Sequence, residues 1–166
     1  MDITHKDTLF IIAEIAVLFA GFGGLSVVAG RLVSKIERVR LRNVIGTALM
    51  LVVSSLLPVM LVIFGIPESW VWRIGTGVLV SYTLLFYGLS GDLNLFFDAL
   101  PLDRALIVGD WVLAFMQLCA AAAWFGLPAD RVYVGTLYWH LVSACVMYML
   151  VFEPIWAGDQ QENASE

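Results

Sequence analysis

Apolar positions along this chain gather into five long runs, at residues 9–33, 44–64, 71–89, 105–125 and 132–152. Short breaks carrying charge, proline or glycine separate them. Each run reaches the about 20 helical residues that cross the ~30 Å hydrocarbon core of a bilayer. The pattern predicts an all-α integral membrane protein, a bundle of about five transmembrane helices. In the third break, residues 91–104, Leu93, Phe96, Phe97 and Leu100 can share one helical face. That spacing predicts a short interfacial helix between spans three and four, ended near Pro101 because the residue before a proline is steered out of the helical region. A re-entrant segment is the alternative.

The spans and their turns leave no room for a separate soluble domain. Residues 1–157 are expected to form one transmembrane domain, and 158–166 a polar, disordered tail. The first run reads as a retained helix. It is too long for the apolar part of a signal peptide, and its flank mixes Asp2, Lys6 and Asp7 instead of presenting a basic segment.

Composition strengthens this picture. The chain is 61% hydrophobic and 14% charged, against the about 25% charged of a soluble domain. So much apolar surface fits lipid contact, not a water-soluble core. The net charge of −5 comes from turns and from tail residues such as Asp159, Glu162 and Glu166, so it marks no acidic partner surface.

Five of the nine Lys and Arg residues fall between Arg31 and Arg42. Short basic loops stay cytoplasmic, which predicts an outside N-terminus and a cytoplasmic C-terminus. The acids of the third connection, Asp92, Asp98 and Asp103, count for little in that rule. Arg31, Lys35, Arg38 and Arg42 recur at steps of four, three and four, one helical face. They suggest an amphipathic extension of the first helix that touches anionic headgroups or, with several copies together, lines a cationic vestibule. No domain exists to present a nucleic-acid surface. Trp70, Trp72, Trp124, Tyr133 and Trp156 sit at run boundaries, the depths that Trp and Tyr favour.

Few polar groups interrupt the spans. Ala16, Ala20, Gly23 and Gly24 belong to a broad small-residue face of the first run, where another backbone can approach closely, within the bundle or between copies. Glu14 is the one deep charge in that run. A carboxylate there must be paired, hydrated or protonated, and Arg73 of the third span is the expected partner, with a water-exposed ion site as the alternative. His140 lies near the middle of the fifth span, suited to a hydrogen bond across helices or to proton relay. Asp110 and Gln117 share a face of the fourth span, seven residues apart. By sequence, Glu14, His140 and Asp110 fall at different depths.

Cys119 and Cys145 fall toward opposite membrane faces, so an internal disulfide is not expected. Without matching histidines they make no metal site. Haem would need a second axial ligand, and the only other histidine is the terminal His5. No phosphate loop, paired-histidine motif or activated nucleophile points to an enzyme or a cofactor. The expected function is a small self-associating channel for an ion or small solute, built around an oligomer axis, with Glu14, Arg73, Asp110, Gln117 and His140 as pore or site candidates. A non-conducting accessory or scaffold subunit of a larger membrane complex, or a small transporter, is the alternative. The expected partners are membrane lipids, further copies and other membrane subunits, and the expected location is the bacterial cytoplasmic membrane.

Overall fold

The computed structural model describes residues 5–28, 35–89, 101–123 and 126–163. The described residues form five helices: α1 (Lys6–Val28), α2 (Lys35–Ile63), α3 (Glu68–Leu89), α4 (Pro101–Ala121) and α5 (Ala129–Asn163). Four of them, α1, α2, α4 and α5, are long and apolar enough to cross a membrane. Among the described residues that is one fewer than the five expected. Helix α3 has the length, but Glu68, Arg73 and the Gly75–Thr76–Gly77 stretch dilute its apolar character. The expected interfacial helix falls on residues outside those described.

Local chemistry sets the helix ends. Helix α2 stops in a Schellman cap: Gly65, at φ +79°, donates to Val62 O at 2.9 Å, and Ile66 donates to Leu61 O at 3.1 Å. Glycine adopts that left-handed conformation without a Cβ penalty, and Pro67 follows, which cannot continue the helix. Pro101 opens α4, where a missing N–H costs nothing. Helix α5 runs on through Asn163 and so takes in residues 158–163 of the expected polar tail. Once a helix is formed, each added residue gains a hydrogen bond, and no glycine or proline interrupts the chain after Gly158.

The basic cluster also moves. Lys35 and Arg38 belong to the first turns of α2, and Arg42 is exposed on the same helix, so the stripe opens the second helix and does not extend the first. Arg31 lies outside the described residues.

Helix α1 packs mainly on α2, α3 mainly on α4, and α5 touches all four others. An apolar core built on Leu9, Ile12, Leu51, Val71, Trp72 and Tyr133 fills the half of the bundle where α1, α3 and α5 begin. Tyr133 and Trp72 are buried in that core. The Tyr133 hydroxyl meets a need that Pro58 creates. A proline inside α2 has no N–H for the carbonyl four residues back, which is Ser54 O, and the Tyr133 hydroxyl donates to that oxygen at 2.6 Å. Outward surfaces carry large apolar side chains, among them Ile11, Leu18, Phe22, Val53, Ile63 and Phe115. The interior holds Thr76, Thr83, Asp110, Gln117, Thr136, His140 and Ser143. Apolar outside and partly polar inside is the arrangement that lipid solvation favours.

Candidate functional site

Asp110 and His140 meet inside the bundle. Asp110 lies halfway along α4, and His140 lies halfway along the apolar stretch Ala129–Val151 of α5. Their side chains are 3.5 Å apart, Oδ1 to Nδ1, and the residues are only 7% and 6% exposed. The indole Nε1 of Trp139 donates to the same Oδ1 at 2.7 Å. Consecutive residues on a helix point about 100° apart, yet Trp139 and His140 both reach Asp110, approaching it from two sides. Gly109 makes this possible: a Cβ there would collide with the Trp139 ring. The glycine preceding the aspartate opens the seat for the indole that binds it.

Around the pair, three helices contribute polar groups: Asn43 and Thr47 from α2, Tyr82 and Thr83 from α3, and Ser143 beside His140 on α5. They enclose a cavity of about 20 Å³ open to the centre of a water-sized sphere, and one water molecule needs about 10–15 Å³ by that measure. The buried Asn43 Oδ1 and Ser143 Oγ have no hydrogen-bond partner among the described residues. A buried polar atom left unmatched is costly, so a water in this cavity has partners waiting. Thr83 resolves its hydroxyl locally, donating to Leu79 O at 3.1 Å.

Gln117 is 1% exposed, on the same inward face of α4 as Asp110 and Ala114, as the seven-residue spacing implies. Its Nε2 and the Thr76 hydroxyl are buried without partners among the described residues. They form a second polar level, nearer the start of α5.

Glu14 and Arg73 do not pair. Both are exposed, and the Arg73 guanidinium lies over the Trp70 ring, 5.5 Å from its centroid. Depth explains the separation. His5 makes an edge contact with Trp72, beside Arg73, and Glu14 lies nine residues further along α1, about 13 Å at helical rise. Two contacts tie α1 to α5: His5 Nε2 with Asp130 Oδ2 at 3.2 Å, and the Phe19 ring edge-on to Tyr148. Interpolated between them, Glu14 falls within a turn of His140. Glu14, His140 and Asp110 thus share one level of the bundle, contrary to the different depths expected, but only Asp110 and His140 are inside it.

The small-residue face of α1 is an internal seam. Ala16 is fully buried, Ala20 partly, and a Cβ on Gly23 would meet Ile45 Cγ1 at 2.7 Å. Gly24 has open space around it and takes no part in that packing. The seam joins α1 to α2 of the same chain, which is why α1 keeps its bulky face outward. Cys119 and Cys145 are both free.

Sequence reading missed the environment of Asp110: Trp139, Asn43, Thr47, Tyr82, Thr83 and Ser143. Two signals were present. Asn43 and Thr47 are four residues apart, and His140, Ser143 and Met147 follow steps of three and four, each set one helical face. Nothing in the spacing said that these faces meet. No protein-family model, curated protein or solved structure matches the chain. Its class, a helical membrane bundle, rests on the helices themselves.

Proposed function

We propose that this chain is an integral membrane protein that passes an ion, that the proton is the ion its site fits, and that Asp110 and His140 hold it. One observation carries the reading: a carboxylate and an imidazole 3.5 Å apart, halfway along two apolar helices, beside a cavity with room for a water. Ionisable side chains inside a membrane are expensive and mark ion paths and proton relays. Histidine is the side chain whose charge changes most readily near neutral pH. Asn43 Oδ1 and Ser143 Oγ supply acceptors for a water that would extend the relay from the pair.

On this reading the path runs through each protomer. An axis between copies would need polar groups on an outward face, and the apolar outer stripe of α1 offers Glu14 alone among Ile11, Val17, Leu18 and Phe22. Self-association stays part of the proposal, with that stripe as its surface. In the full topology α3 is a fifth crossing, the N-terminus is outside, and the C-terminus is cytoplasmic in a bacterial inner membrane.

The test is proton flux into liposomes that hold a pH-sensitive dye and the purified protein. Wild type should dissipate an imposed pH gradient. Asp110→Asn and His140→Gln should each lower the rate at least tenfold, while Glu14→Gln should leave it unchanged. Flux that survives both interior substitutions would move the path to an axis between copies. No flux under any pH, voltage or lipid condition would favour the accessory subunit. For orientation, cysteines introduced at Thr4 and Ser34 in a chain lacking the two native ones should react with an impermeant reagent from outside at Thr4 only.

A further inference from the structure

Between α4 and α5 the bundle carries an open groove of about 450 Å³, lined by Leu113, Met116, Arg131, Gly135, Trp139 and Val142 among others. Its lining is almost wholly apolar, and its one charge, Arg131, stands at the end where α5 begins. Arg131 is exposed, and among the described residues its guanidinium has no partner. The neighbouring acid, Asp130, faces His5 instead. From Arg131 to Val142 is eleven residues, about 16 Å of helix. That is close to half of the ~30 Å hydrocarbon core, the depth of one leaflet. Gly135 is exposed, and a Cβ on it would touch nothing within 4 Å, so the groove stays open at mid-length.

We infer that this groove binds one anionic phospholipid, with its phosphate at Arg131 and one acyl chain laid along Gly135 toward Val142. Charge and length both select this occupant. A cation at headgroup level attracts an anionic lipid, and the first turn of α5 adds the positive end of the helix dipole. Below Arg131 the lining is apolar for the length of a single chain. A second copy, whose exposed Asp7 lies two residues from His5 at this same level, is the competing occupant that the test below separates. The lipid chain would cover the Trp139 indole, which rests on Gly109 and donates to Asp110. The site stands whether or not Asp110 and His140 carry a proton.

The test is lipid retention on the purified, delipidated protein, measured by native mass spectrometry with phosphatidylglycerol, phosphatidylcholine and glycerol 3-phosphate as probes. Phosphatidylglycerol should bind about fivefold more tightly than phosphatidylcholine, the contribution of one basic residue at an anionic headgroup. Arg131→Gln should abolish that preference. Gly135→Trp, and independently Val142→Trp, should weaken both lipids by filling the groove. Phosphatidylglycerol brominated on its acyl chain should quench the fluorescence component that Trp139→Phe removes. The inference is overturned if Arg131→Gln keeps the preference, if glycerol 3-phosphate competes as well as the lipid, or if a protein dimer forms that excludes lipid from the groove.

Discussion

Asp110 and Glu14 sit at one level of the bundle, the first inside it and the second on its outer surface. Asp110 receives the Trp139 N–H, faces His140 and borders a water-sized cavity. Glu14 stands among Ile11, Val17 and Leu18, exposed, with no protein partner among the described residues. By composition the two spans look alike: each is an apolar run with one mid-length carboxylate. The comparison teaches that depth sets how much a charge costs, while the opposing helix decides whether that cost is met. Interior positions find donors on neighbouring helices. An outward position finds lipid, a second molecule, or a proton that neutralises it.

The largest effect should come from removing the satisfied carboxylate. Asp110→Ala strands the Trp139 N–H and should lower stability by about 3 kcal/mol, the upper end for a hydrogen bond to a charged group. Glu14→Leu should cost nothing by the same measure, chemical unfolding in mixed micelles. If the two lose equally, the inside–outside distinction fails. Asp110→Asn keeps an acceptor for Trp139 and should recover most of the loss.

A smaller effect reaches Asp110 without touching it. Gly109→Leu puts side-chain atoms where the Trp139 ring lies, and overpacking of this kind costs about 2 kcal/mol. The indole should also lose its bond to Asp110, read as a shift in the emission that Trp139→Phe removes. An unchanged spectrum would mean that the glycine is not the seat.

The smallest effect applies the same rule to a backbone group. Tyr133→Phe leaves Ser54 O without its donor and should cost about 1 kcal/mol. Pro58→Ala restores an N–H to that carbonyl, so the tyrosine substitution should cost less in its presence. A double-mutant cycle with additive losses would disconnect Tyr133 from the proline.

Much of the fold was legible because its signal is local. Run length gave the helices, and the break between the second and third runs holds Gly65 and Pro67, whose own backbone restrictions end α2. The inward face shared by Asp110 and Gln117 followed from a seven-residue spacing. The Glu14–Arg73 pairing did not survive, because it matched charges by sign and rough depth without knowing which way each helix turns. Of the small face of α1, Ala16 and Gly23 are packed and Gly24 is not, and spacing cannot say whether a contacting backbone belongs to the same chain. Gly23 and Ile45 answer that.

The sequence by itself determined that the chain is a set of apolar helices, with a carboxylate or a histidine inside three of the runs. Periodicity and composition act over a few turns of one segment, and they carry that information in full. Only the tertiary structure decided that Asp110, Trp139 and His140 converge, that Asn43 and Ser143 close the cavity beside them, and that Glu14 is left outside. Those outcomes depend on rotation and register between helices that are distant in sequence. A rotation of half a turn changes no residue's identity, yet it exchanges the buried face of a helix for the exposed one.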